Sequence, residues 1–403
     1  MSSDPTNVVP AGIRHGSTYF PELESLRGLA ILLVFVFHAD GSLLFPVSNR
    51  VGLQSPLPLL YVWAGHTGVT LFFVLSAFLL SLPFLDEAYG GRPVSRRQFY
   101  ERRALRILPV YWVAVLVATI LTSHTLADFW RGVPYLAFLQ SKPNLPTPMR
   151  PYSGVWWSLA TEVQFYVLLP LIALAFGRSR RATLALLAGY AVAYLAVATG
   201  LVLPGLEPWL RAQSVVGRGP LFLCGILAAW FYRRHGDAVR VRLAGSRALV
   251  AGGADLILAV VFVALALLLR WVNRSGFFPI EQTRWYVWHV PEGVLWTAVV
   301  LIMLLAPLRL KAVLSNRVLA WLGVLSYSIY LLHQPLLYFS VGMARRLFPG
   351  MTGWSASAVL WFAVITAVCV GLASLTYRFI ERPFLVRKAR IDGGGRPAEA
   401  RAA

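Results

Sequence analysis

Apolar runs of span length recur along the whole chain, at about residues 26–46, 66–85, 104–122, 155–176, 182–203, 213–232, 248–270, 288–307, 318–343 and 355–379. Each approaches the roughly 20 residues that an α-helix needs to cross hydrocarbon. In lipid the backbone must satisfy its own hydrogen bonds, which helices do within one segment. The pattern therefore predicts an all-α fold: a polytopic membrane bundle of about ten transmembrane helices. The stretch 130–140 is apolar but too short to span, which suits an interfacial or re-entrant piece. One transmembrane domain is expected over 19–386. A flexible segment, 1–18, precedes it, and a basic tail rich in Gly, Ala and Arg, 387–403, with the composition of a disordered segment, follows. The first 25 residues are polar and the first apolar run is of span length, so no cleavable signal peptide is expected.

The charges between the runs alternate. One set of connections holds Arg92, Arg96, Arg97, Arg102, Arg103 and Arg106, then Arg178, Arg180 and Arg181, then Arg233, Arg234, Arg240, Arg242 and Arg247, then Arg309, Lys311 and Arg317. The other set is poorer, with Arg50, then Arg131, Lys142 and Arg150, then Arg211, Arg274 and Arg284, and Arg345 and Arg346. By the positive-inside bias the rich set is cytoplasmic. An even number of spans then puts both termini in the cytoplasm of a multi-pass protein of the plasma (inner) membrane. The long outer connection 123–155 carries Pro143, Pro146, Pro148 and Pro151 and reads as an irregular cap.

Composition sharpens this. Of 403 residues 58% are hydrophobic and 13% charged. A soluble domain carries about 25% charged residues. A soluble protein with an anchor is excluded. The net charge of +20 would suit nucleic acid, but the basic residues sit in short connections, so no nucleic-acid partner is expected. Cys224 and Cys369 both lie inside apolar runs, which argues against a disulfide framework.

Within this apolar background a few polar residues stand out. Arg27 and His38 lie on one run with no other polar side chain between them. Eleven positions of helix make about three turns, so both side chains share a face, roughly 16 Å apart. Ionisable groups inside a membrane mark function by default. A neutral imidazole at depth suits a general base, although a histidine bonded to a neighbouring helix would look the same. Arg27, with Glu24 one turn before it, sits at the cytoplasmic rim, where its fork suits phosphate or carboxylate. An ordinary snorkelling arginine gives the same charge pattern. Arg103 and Arg106, three apart, share a helix face at the cytoplasmic entry of the third span. Glu162 lies roughly 10 Å inside the outer end of its span. It reads either as a structural partner for Arg218 or as the carboxylate that orients His38 or the acceptor. Arg218 and His333 fall in the outer halves of their spans and read as structural pairs or substrate-side groups, and Ser76 as structural. No metal-ligand spacing, phosphate loop or nucleophile elbow stands above background.

These residues, taken in order, resemble the integral-membrane acyltransferase-3 family of O-acyltransferases. The resemblance runs from about 19 to 386. It rests on Pro21-Glu22-Leu23-Glu24-Ser25-Leu26-Arg27-Gly28-Leu29-Ala30 with His38, on Leu71 to Leu80 around Ser76, and on Arg103 and Arg106 before Ile107 and Pro109. Trp157-Ser158-Leu159 with Glu162, Arg218-Gly219-Pro220-Leu221-Phe222 with Gly225, Ser326 to His333, and Glu381-Arg382-Pro383-Phe384 complete it. Glu24 stands where the family often has aspartate, and Ala77 where it usually has glycine. Some relatives add an extracytoplasmic hydrolase-like domain, and this sequence reads as a stand-alone version. The resemblance implies acetyl-CoA, or another acyl-CoA, as co-substrate and no metal. It implies an acceptor hydroxyl on a carbohydrate, a lipid-linked glycan or a glycosylated small molecule. Carried over, His38 and Glu162 are catalytic, and Arg27, Arg103 and Arg106 bind the donor. His38 acts as base or as acyl carrier.

A proton-coupled exporter is the rival reading, since buried Arg, His and Glu also mark ion pathways. Such transporters often have two similar halves. No half-to-half similarity is visible here, and the arginine clusters favour an anionic cytoplasmic ligand.

Overall fold

The computed structural model describes residues 14–15, 18–39, 56–130, 132–139, 149, 151–178, 180–202, 204–205, 208–273, 279–349, 351 and 355–391. In chain order the helices are α1 (Pro21–Ala39), α2 (Leu57–Trp63), α3 (Thr67–Ala88), α4 (Arg96–Thr122), α5 (Leu126–Trp130), α6 (Val133–Leu136), α7 (Trp157–Arg178) and α8 (Arg180–Thr199). They continue with α9 (Pro208–Ala212), α10 (Gly219–Ala244), α11 (Ala254–Asn273), α12 (Pro279–Leu305), α13 (Lys311–Leu314), α14 (Arg317–Leu347), α15 (Ala356–Thr376) and α16 (Arg382–Ile391). A kink at Gly252, where φ is 123°, leads into α11, and a π-helical turn at Tyr377–Glu381 leads into α16. The sole β structure among the described residues is a two-residue antiparallel ladder, β1 (Arg14–His15) with β2 (Thr18–Tyr19). Arg14, His15 and Thr18 of this ladder belong to the segment 1–18 that was expected to be flexible.

Each of the ten expected spans coincides with a long helix, and the fold is helical as the pattern predicted. Among the described residues, eight stretches are long and apolar enough to cross a membrane. The other two long helices, α1 and α10, mix in charge. α1 carries Glu22, Glu24 and Arg27, and the second half of α10 carries Arg233, Arg234, Asp237, Arg240 and Arg242. The first expected span ran to residue 46, and 40–55 lie outside the described residues. The C-terminal boundary also differs, because the chain stays helical through Ile391 rather than ending at 386.

Local chemistry explains the helix starts. Asn316 caps α14 by accepting from the Leu319 amide at 2.9 Å. Ser95 and Ser355 cap α4 and α15 in the same way. Such side chains satisfy amides that have no partner inside the helix. The apolar stretch near 130–140 becomes α5 and α6, docked rather than spanning. Phe138 stacks on Tyr111 with centroids 4.3 Å apart, and the Tyr111 hydroxyl donates to the Tyr135 carbonyl at 2.9 Å. Residues 140–148, which hold Pro143, Pro146 and Pro148 of the expected cap, lie outside the described residues.

The bundle is assembled around α1. It lies against α14 at two glycines: a Cβ on Gly28 would stand 1.9 Å from the Leu319 carbonyl oxygen, and one on Gly323 2.1 Å from the Glu24 carbonyl oxygen. The turn before α3 meets α1 at Gly65, α3 itself meets α1 at Gly68, and α10 meets α3 at Gly225 in the same manner. Without a hydrophobic drive between helices in lipid, such small-residue contacts let backbones approach and pack. Outward faces keep large apolar side chains exposed, among them Leu116, Val192, Leu256 and Val364, as lipid contact requires.

Gly28→Ala is expected to lower the melting temperature of the detergent-solubilised protein, by a loss of about 2 kcal/mol or more from overpacking against backbone. Gly371→Ala, where nothing lies within 4 Å of the added carbon, is expected to leave it unchanged. Equal melting of the two variants would rule out this account of the α1–α14 contact.

Candidate active site

Two polar groups mark opposite ends of α1. At the first, Arg27 Nη1 pairs with Glu24 Oε1 at 3.0 Å and Nη2 donates to Ser326 Oγ of α14 at 2.9 Å. Arg106 of α4 lies nearby and pairs with the buried Glu381, whose other oxygen accepts from Ser328 Oγ at 3.0 Å. Arg103, one turn earlier on α4, lies over the Tyr166 ring, 5.8 Å from its centroid. It has no hydrogen bond or salt bridge to any described residue, and its buried Nε is unpartnered. Of the three arginines, Arg103 is therefore the one with no ion pair among the described residues.

At the other end, His38 Nδ1 lies 2.8 Å from the Val34 carbonyl. A carbonyl only accepts, so Nδ1 carries the proton and Nε2 keeps its lone pair. The ring touches His333 of α14, with centroids 5.0 Å apart. His333 is held the same way, its Nδ1 donating to the Tyr330 carbonyl at 2.8 Å, and its buried Nε2 has no partner among the described residues. Beyond Phe37 the rings continue through His66, Trp288 and His289, with centroids 5.8, 5.9 and 4.3 Å apart in turn.

Glu162 lies between these ends. Ser158, one turn before it on α7, shares a hydrogen bond with the Tyr330 hydroxyl at 2.7 Å, and Tyr166, one turn after it, lies under Arg103. Glu162 Oε1 accepts from both Ser76 Oγ and Tyr166 Oη, each at 2.5 Å. It is bonded to neither His38 nor Arg218, the two partners considered from the sequence. Arg218 instead lies over the Trp157 ring, 5.1 Å from its centroid.

Three groups were missed. Glu381, named from the sequence only within the motif Glu381-Arg382-Pro383-Phe384, is the counter-ion of Arg106. His66 and the His289–Glu292 pair, spaced by three in Trp288-His289-Val290-Pro291-Glu292, complete the histidine end. The signal that singled out His38, an ionisable side chain in an apolar run, was present at 289 and 292. No group of described residues has the geometry of a metal site.

Residues 20–378 match the family described as the acyltransferase domain, and the chain belongs to that family. Among its curated relatives is the peptidoglycan O-acetyltransferase OatA of Listeria monocytogenes, 24% identical over 402 residues, 92% of this chain and 56% of OatA. YrhL of Bacillus subtilis, whose name assigns the same activity provisionally, is 26% identical over 91% of this chain and 55% of its own length. The chain thus spans a little over half the length of these relatives. No solved structure matches it.

The ion pairs make a contrast testable. Arg106→Ala leaves the buried Glu381 without its cation and is expected to cost about 3 kcal/mol or more of stability. Arg103→Ala breaks no ion pair and is expected to melt within a degree or two of wild type. Thermal unfolding in detergent, followed by monomer loss in size-exclusion chromatography, separates the two. Identical melting points would refute the pairing.

Proposed function

We propose that this protein is a membrane-embedded O-acyltransferase that moves an acyl group, acetyl by default, from acyl-CoA to a hydroxyl of a glycan or glycoside. The carrying observation is the arrangement along α1: a cluster of arginines at one end and an imidazole with its lone pair free at the other, about three turns away. In this reading the arginine end faces the cytoplasm, where coenzyme A is available. Arg103, free of ion pairs, takes a donor phosphate directly, and Arg27 and Arg106 add positive potential. The extended pantetheine arm runs past Ser76, Glu162 and Tyr166, which are polar at the level where its amides would pass. Its thioester then reaches His38.

The chemistry follows from the tautomer. The acceptor hydroxyl gives its proton to His38 Nε2 as its oxygen attacks the acyl carbon. The carbon–sulfur bond breaks and the departing thiolate takes the proton from His38, so charge and atoms balance. Val34 holds the ring so that Nε2 is the acting nitrogen. Direct transfer is favoured over an acyl-histidine because this single imidazole completes the proton circuit alone. The names of OatA and YrhL support a peptidoglycan-type carbohydrate as acceptor. No observation favours the exporter reading.

Calorimetric titration of acetyl-CoA into the detergent-solubilised protein tests the donor. Micromolar binding is expected, weakened roughly ten-fold, about 1.4 kcal/mol, in Arg103→Ala. Absence of binding to folded protein would sink the acyl-CoA reading. His38→Ala should keep that affinity and lose turnover by at least about 100-fold. Retained turnover would remove His38 from the chemistry.

A further inference from the structure

We propose that Tyr166 is the positioning residue of the donor end: its ring, fixed by its hydroxyl on Glu162, holds the Arg103 guanidinium in place and leaves the charge of that guanidinium open to a donor phosphate. This rests on the acyltransferase reading and concerns its arginine end.

The ring is held in place from neighbouring helices. Tyr166 is buried, one turn after Glu162 on α7, and its Oη donates to Glu162 Oε1 at 2.5 Å. Ser76 of α3 donates to the same oxygen at 2.5 Å, so the carboxylate that anchors the ring is itself anchored by a second helix. On the other side, Tyr100 Oη of α4 donates to the Val167 carbonyl at 3.1 Å and ties α4 to α7 beside the ring. Arg103, one turn further along α4, then lies with its guanidinium carbon 5.8 Å from the Tyr166 centroid.

The three arginines are held by different chemistry. Arg27 and Arg106 are held by carboxylates, Glu24 and Glu381. A carboxylate fixes a guanidinium but occupies the fork that a phosphate would use. An aromatic face fixes a guanidinium through the ring quadrupole and adds no formal charge. Arg103 is held in this second way. The cations Arg102 and Arg106 act on it, and Glu162, whose field also reaches it, is bonded to the hydroxyls of Ser76 and Tyr166 rather than to the guanidinium. Its charge is therefore ordered before a ligand arrives, which spares part of the entropy lost when a side chain is immobilised on binding.

The test is calorimetric titration of acetyl-CoA into the detergent-solubilised protein. Tyr166→Leu removes the ring face and is expected to raise Kd about five-fold. Tyr166→Phe keeps the face and loses only its anchor, so it should restore most of the affinity, with Kd about two-fold above wild type. In the Arg103→Ala background Tyr166→Leu should add less than about two-fold, because a residue that acts through Arg103 has nothing left to hold. In inverted membrane vesicles, with CoA release as the readout, the loss is expected in KM for acetyl-CoA rather than in kcat. A structural role alone would not produce that split, and it would weaken the double variant further. A wild-type Kd in Tyr166→Leu, or effects of the two substitutions that multiply, overturns this assignment alone. Should Tyr166→Leu fail to fold, Tyr166→Phe carries the test: a raised Kd that vanishes in the Arg103→Ala background supports the assignment, and a wild-type Kd overturns it. Folded wild-type protein that binds no acetyl-CoA overturns both this assignment and the acyl-CoA reading.

Discussion

The rest of the structure depends on the backbone contact between α1 and α14. Gly28 faces the Leu319 carbonyl and Gly323 the Glu24 carbonyl, with no room for a side-chain carbon at either point. That contact sets the register of the two helices. It lays Arg27 on Ser326 at one level and His38 against His333 at the other. Helices in lipid gain little from burying one apolar surface on another, so close packing must hold them together. Here the packing that holds the bundle also aligns its two chemical ends.

Those ends differ in how their charges are settled. At the arginine end, Glu24 and Glu381 neutralise Arg27 and Arg106 and leave Arg103 over an aromatic face. A half-buried cation without an ion pair is costly, and in the proposed reading an anionic ligand arriving from water removes that cost. At the histidine end the imidazoles are held by backbone carbonyls, which fix the tautomer without supplying charge. Among the described residues, Glu292 of α12 is tied into that end through the hydroxyl of Thr67. In the proposed reading, binding and proton transfer are separated along one helix, as a donor with its phosphates far from its thioester requires.

Much of this was legible in the chain. The period of apolar runs marked the ten long helices seen among the described residues, because a segment that must satisfy its backbone in lipid has one regular solution. Arg27 and His38 were visible as a pair because they interrupt the same apolar run, and helix geometry alone places them on one face. The resemblance to the acyltransferase-3 family followed from the order of short motifs and agrees with the family match. The helix starts at Ser95, Asn316 and Ser355 are equally local.

Partnerships were decided only in three dimensions. Nothing in the sequence ties Arg106 to Glu381, 275 positions away, or Glu292 to Thr67, 225 positions away. Such pairs depend on which helices are neighbours, and an apolar span carries no record of its neighbours. Glu162 shows the difference most plainly. Its depth in the membrane could be counted from the sequence, but whether it faced His38, Arg218 or Ser76 depended on how α7 turns against α3. The sequence by itself determined the class of fold, the helices and the helix on which Arg27 and His38 share a face. The tertiary structure decided which charge answers which, because hydrogen bonds and ion pairs act over a few ångströms and only packing brings distant residues within that range.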